Sequence, residues 1–387
     1  MRAIFKWVGR IAVMALLAAV VVGLWKREEL TRLWAVNTLF DDGKIVENFS
    51  NMERAFLTVP MSRGDGPVTP LPQGPEMVLP EGTTAWMEKR SVSSLLVLEG
   101  GQMVHESYHL GTGPEDRRIS WSMAKSFLSA LFGIIEAEGA ITSLDDPVTK
   151  YAKQLEGSAY DGVSIRHVLQ MTSGLAFDED YLDYASDINR MGRVLALGGT
   201  MDGFAAGLTA RAAPPGEVWE YVSIDTHALG MVIRGATGRD IPGLMNDKVL
   251  APMGLEAAPY YLSDGEGVAF VLGGLNMRSR DYARFGLMYE QEGRIAGQQV
   301  VPAAWVEATT RASAPTLPGK TGYGYQWWMP VGAPEGVFFA RGIYGQYIYI
   351  DQTRDVVIVV TAADRQFRKD GVHEANIAMM RQISEAL

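Results

Sequence analysis

The sequence predicts an α+β fold in which an antiparallel sheet is flanked by helices and interrupted by a mainly helical insert. Three observations lead there. Runs rich in β-branched and aromatic residues stand near residue 95 and again beyond residue 320. Between them, helical periodicity dominates from residue 122 to about 256, and its segments close on Gly or Pro. Strands at both ends of a chain around a helical middle pair most simply in one sheet, with the helices set into it. A hydrophobic content of 47% with 10% aromatic residues supplies the core for such a domain.

Taken in order, the first element is MRAIFKWVGR followed by the uncharged 15-residue run Ile11–Trp25. The run is short for a spanning helix and typical of the apolar part of a signal. It ends in bulky Leu24 and Trp25 and a charged KREELTRLWAV, with no small-x-small cleavage site, which favours an uncleaved signal anchor over residues 1–35. Arg2, Lys6 and Arg10 precede it, so the expectation is a single pass through the inner membrane with the rest of the chain in the periplasm. Secretion after cleavage, or a soluble protein with an apolar N-terminal helix, stays open.

Residues 36–84 include a Pro/Gly-dense stretch and read as an extended linker or wrap; the folded domain is expected over 85–387, with its helical insert at roughly 140–275. Around Glu99-Gly100-Gly101, SSLLVLEGGQMVHESYHLG reads as a hairpin. VSIRHVLQMTSGL, DTHALGMVIRGATG and LMNDKVLAPMGL read as helical. GYGYQWWM, FFARGIYGQYIYID and DVVIVVTAA read as strands, with QTRD turning between the last two, and a helix from about 371 ends the chain.

A net charge of −10 with no Lys/Arg-rich stretch argues against a nucleic-acid surface and leaves small molecules or peptides as partners. The chain has no cysteine, which excludes disulfides, thiol catalysis and a lipidated N-terminal Cys. His105 and His109 have a metal-like spacing only on a helix, and they fall in a run read as strand, so neither a metal nor another cofactor is expected.

The chemistry concentrates in SWSMAKSFLSALFGIIEAEG, where Lys125 sits in an otherwise apolar helix one turn after Ser122. A buried lysine must be neutral or paired, and a neutral amine beside a serine at a helix start is a means of activating that serine. Ser122 as a helix cap and Lys125 snorkelling to solvent is the alternative. Tyr221-Val-Ser223 stands in a loop before a helix, which makes Tyr221 a candidate proton carrier and Ser223 its neighbour, although a Tyr beside Trp219 also suits a core. Ala340-Arg341-Gly342-Ile343 lies in a β-run before Tyr344. There Gly342 would let substrate approach the backbone, and the Ile343 N–H could join that of Ser122 as an oxyanion hole. Phe177-Asp-Glu-Asp-Tyr181 reads as a solvated loop or a lip of the cleft, with Tyr181 as a candidate substrate contact.

In their order, Ser-x-x-Lys, Tyr-x-Ser about 100 residues later and x-x-Gly on a late strand, these motifs resemble the serine β-lactamase-related family over about residues 85–365. Leu144-Asp-Asp-Pro147, Val168-Leu-Gln-Met-Thr-Ser-Gly174 and Pro215-Gly-Glu217 add to the likeness. The resemblance implies the class C β-lactamase fold, with Ser122 as the acylated nucleophile, Lys125 as its proton partner and Tyr221 as the relay to the leaving group. Ser223 stands where β-lactamases and peptidases of the family carry Asn, and Ala340-Arg341 where they carry Lys or His followed by Thr or Ser. Gly342-Ile-Tyr-Gly-Gln346 is instead similar to the 6-aminohexanoate-dimer hydrolase and esterase branch. The expected substrate is therefore a small amide or ester, contacted by Ser223, Arg341, Gly342, Tyr181 and Tyr344. A penicillin-binding peptidase and a non-catalytic ligand-binding relative are the competing readings, and the oligomeric state stays open.

Overall fold

The computed structural model describes residues 2–387. Its main sheet has seven antiparallel strands in the spatial order Gln102–Tyr108, Val92–Glu99, Val356–Ala362, Gln346–Asp351, Val337–Gly342, Trp328–Met329 and Gly322–Tyr323. The N-terminal hairpin thus pairs with the C-terminal strands, as the sequence predicts. Its turn is the expected one: Glu99 pairs with Gln102 across Gly100 and Gly101, both at positive φ, which lets two residues reverse the chain with the twist of the strands.

The two central strands read as continuous apolar runs because both sheet faces are covered. Leu96, Leu98, Val357 and Val359 join the main core beneath the helices Ala124–Ala137 and Ser279–Glu290. Leu95, Val97, Ile358 and Val360 alternate with them and pack against Trp86, Ile377, Met380 and Ile383. Those last four come from the helices Thr83–Lys89 and Val372–Glu385, which are tied together where Trp86 Nε1 donates to Asn376 Oδ1 at 2.9 Å.

Helices occupy the middle of the chain as read, among them Ile165–Leu169, Asp187–Ala196, Met201–Ala206 and Ser223–Thr237. The last closes on Gly238 at positive φ, the C-terminal signal visible in the sequence. A second sheet, in the order Leu57–Pro60, Tyr260–Ser263, Leu275–Arg278 and Arg117–Ile119, carries the chain directly into Ser120 and helix Ala124–Ala137.

Three expectations need correction. Folded structure does not begin near residue 85. Helix Arg27–Asn37 and the buried Leu39, Ile45, Phe49 and Met52 belong to the main core region, and Leu57–Pro60 is a sheet strand. Only the Pro/Gly-dense part wraps in extended form, and there Gly74 and Met77 N–H groups donate to Met103 and Val104 carbonyls along the outermost strand, covering its edge. The run FFARGIYGQYIYID is two strands, because Tyr344 and Gly345 adopt positive φ and fold it into a hairpin. GYGYQWWM yields only two-residue strands. Gln326 at positive φ breaks it, with its buried amide donating to Leu169 O and accepting from Thr226 Oγ1.

The N-terminal helix Arg2–Trp25 contains a 22-residue apolar segment, Ile4–Trp25, with no buried residue. At 1.5 Å per residue it is about 33 Å long, enough to cross a bilayer. The sequence count of 15 was shorter because it stopped at Arg10.

Candidate active site

Strand Arg117–Ile119 delivers the chain to Trp121, which is held at positive φ, and one tight turn, Trp121–Met123, precedes helix Ala124–Ala137. Ser122 therefore sits at a helix start, where unpaired N–H groups and the helix dipole favour negative charge. Lys125, one turn on, is 2% exposed. Its Nζ donates to Ser122 Oγ at 3.0 Å and to Leu272 O at 2.7 Å. Burial pushes its pKa down to about 7, against the opposing pull of Glu179 and Asp225. The amine is thus held by Leu272 and can be neutral with its lone pair toward the serine.

Tyr221 faces the same point, its ring centroid 5.3 Å from Lys125 Nζ and stacked on Trp328 at 5.4 Å. Burial and the charge of Glu179 push the phenol pKa well up, while the Ser122 hydroxyl, Arg341 and Ser223 act against this. The phenol stays protonated, and a protonated phenol can donate. Trp327, next in sequence to Trp328, is fully buried in the core, so the pair divides between core and cleft.

The remaining predicted residues converge here. Ser122, Tyr181 and Ile343 border two adjoining cavities; Ser223 and Tyr344 line one, and Tyr221, Arg341 and Gly342 line the other. The part assigned to Gly342 changes. A Cβ there would lie 2.5 Å from Ser120 O and 3.1 Å from Trp121 Cβ, so the missing side chain lets strand Val337–Gly342 pack against the turn that carries Ser122.

Glu179 is the residue sequence reasoning missed. Of the acidic loop, Asp178 is exposed and Asp180 accepts from Arg368 at 2.5 Å, while Glu179 turns into the cleft. It accepts from the Ser223 backbone N–H and from Tyr181 OH, the latter at 2.8 Å. Burial raises its pKa, and Lys125 and the Ser223 N–H lower it. Asp225 was also missed. It is fully buried, accepts from Tyr160 OH at 2.9 Å, and burial raises its pKa to about 8. Glu179 could not be singled out in sequence, because three neighbouring carboxylates differ only in which way the fold turns them, and nothing local to Asp225 marks its burial against Tyr160. His105 lies within strand Gln102–Tyr108 and His109 one residue past its end, and both hydrogen-bond Ser107 Oγ at 3.0 Å. Among the described residues, no group of three or more His, Asp or Glu is placed to hold a metal.

Comparison with known proteins shows the family of the chain. The chain is 31% identical over 287 residues to a 6-aminohexanoate-dimer hydrolase of Paenarthrobacter ureafaciens, covering 70% of this chain and 73% of that protein. A Bacillus anthracis structure described as a 6-aminohexanoate-dimer hydrolase superposes with a TM-score of 0.80 at 22% identity, over 90% of this chain and 95% of the other. EstCE1, a hydrolase with promiscuous acyltransferase activity, superposes with a TM-score of 0.60 at 17% identity, over 79% and 96% of the two chains. The Beta-lactamase family model matches residues 84–378, the span that holds the sheet, Ser122, Lys125, Tyr221 and Ile343. On that match and the 31% identical relative, the chain belongs to the Beta-lactamase family and is a hydrolase of its serine-dependent type.

Proposed function

We propose that the protein hydrolyses small amide or ester bonds through an acyl-enzyme on Ser122, outside a membrane that its N-terminal helix spans. The observation that carries this reading is the 3.0 Å contact between Ser122 Oγ and a buried Lys125 whose pKa is pushed down to about 7. At neutral pH that amine takes the proton as Ser122 Oγ attacks the substrate carbonyl. The developing oxyanion lies between the backbone N–H groups of Ser122 and Ile343, which border the same cleft. Tyr221 passes a proton to the leaving group and regains one through Lys125. Water then attacks the acyl-enzyme, with Tyr221 and Lys125 drawing off its proton. Ser223 and Arg341, in place of the Asn and the Lys/His-Thr/Ser of β-lactamases, turn the cleft from lactams toward linear esters and amides. The similarity to a 6-aminohexanoate-dimer hydrolase supports the same direction. Apolar length, exposure and three preceding cationic residues support an N-terminal anchor with the catalytic region in the periplasm.

Turnover of p-nitrophenyl acetate by the full chain, lowered at least about 10³-fold in Ser122→Ala, is the expected result. Equal turnover by both proteins would overturn the assignment.

A further inference from the structure

Ser122 stands between two cavities that differ in the charged residues of their walls. One, of about 270 Å³, is walled by Glu179, Tyr221, Trp328, Arg341 and Arg368. The other, of about 250 Å³, is walled by apolar side chains including Leu39, Phe40, Phe56, Ile188, Leu195 and Phe270. Its one charged wall residue, Arg193, is occupied: its guanidinium lies 3.9 Å from the Tyr184 ring centroid and donates to Tyr184 O at 2.7 Å. Tyr221 borders only the first cavity. A leaving group protonated by Tyr221 therefore occupies the first cavity, and the acyl part of the same substrate extends from Ser122 into the apolar one.

The apolar cavity is also tied to the N-terminus. Part of its wall is Val36, Asn37, Leu39 and Phe40, ten residues or so beyond the end of the apolar helix at Trp25. Helix Arg27–Asn37 is docked there, with Arg32 Nε donating to Ala196 O at 3.2 Å. Exposed apolar groups stand on two elements that contribute to this wall, Leu30 and Trp34 on that helix, and Leu182 and Tyr184 on the loop that brings Tyr184 to the cavity. Exposed apolar side chains clustered beside a cleft and a membrane helix suit a lipid-facing mouth.

We infer that the substrates are esters or amides of a long-chain fatty acid, whose chain fills this apolar cavity while the polar leaving group lies beside Arg341. The inference rests on the serine hydrolase reading. Ser122 Oγ forms a bond to the acyl carbon as the bond to the leaving oxygen or nitrogen breaks, the serine proton passing to that leaving atom. Water then releases the fatty acid and restores the serine.

The test uses the full chain in phosphatidylcholine nanodiscs with p-nitrophenyl acetate, octanoate and laurate. Burial of acyl methylenes is favourable, so kcat/KM should rise at least about tenfold from acetate to laurate. Gly192 borders the cavity, and a Cβ added there meets no atom within 4 Å, so Gly192→Phe introduces a ring at the cavity wall with an unobstructed Cβ. That variant should lower the laurate-to-acetate ratio at least about tenfold. A flat or falling chain-length profile, unchanged in Gly192→Phe, would overturn the inference. Binding of a fluorescent dodecanoic acid to Ser122→Ala, lost on adding Gly192→Phe, reads the cavity without catalysis; no binding counts against it. If that binding is present but no ester is turned over, the hydrolase reading fails and the chain site stands. Faster hydrolysis of laurate ester in the protein's own disc than in separate discs assigns supply from the bilayer, and equal rates assign supply from solution; either accords with the chain site.

Discussion

At Lys125 the fold holds a cation where it cannot easily stay charged, and the pH dependence of activity follows from the sign of that shift. Below its pKa of about 7 the side chain is an ammonium and cannot accept the Ser122 proton; above, it is free to do so. The ester kcat/KM therefore rises with pH through about 7, and a profile still rising steeply above pH 9 would contradict it. Lys125→Ala should lower kcat/KM by about 10² to 10⁴-fold with little change in melting temperature. Glu179 pulls the lysine pKa up, so Glu179→Gln should move the midpoint of the profile to lower pH, which a pH series on the variant checks. Ser122 and Lys125 are legible in the sequence because their relation is local, one helical turn. Tyr221 and Ile343 become legible only through the order of motifs, and Glu179 not at all, since nothing local decides that it, rather than Asp178 or Asp180, turns inward.

Among the elements, glycines set how closely the site's supports approach one another. Gly342→Ala places a Cβ 2.5 Å from Ser120 O, so strand Val337–Gly342 must move away from the nucleophile turn. A shift of that order costs roughly 10²-fold in kcat/KM, while circular dichroism should show the fold retained. Gly133, in the nucleophile helix, packs face-on against Trp305, and a Cβ would lie 2.2 Å from the indole. Gly133→Ala should destabilise the protein by about 1 to 3 kcal/mol in urea unfolding, with the active fraction keeping normal turnover. The Gly100-Gly101 hairpin and the Gly238 helix end were legible because each is dictated by residues in contact along the chain. The break at Gln326 and the core role of Phe49 were not, because they depend on partners more than 60 residues away in sequence, Leu169 for Gln326 and Trp121 and Tyr344 for Phe49.

For the whole molecule, an apolar N-terminal helix long enough to cross a bilayer precedes a body whose cleft adjoins two cavities. Helix Arg27–Asn37 packs on the body, so removing residues 2–25 should leave a folded protein that no longer fractionates with membranes yet still turns over p-nitrophenyl acetate. The antiparallel sheet built from both chain ends was legible from the distribution of β-rich runs. The meeting of residues 36–40 with the cleft was not, because that segment carries no motif and gains its meaning only from the surfaces it covers. The central claim is that Ser122 is acylated. Its most direct test is intact-mass measurement of the full chain mixed rapidly with a p-nitrophenyl ester, followed by peptide mapping. A single adduct of the acyl mass on Ser122, absent in Ser122→Ala, is the predicted result; a well-folded protein that turns the ester over with no adduct, or with the adduct on another residue, would contradict it.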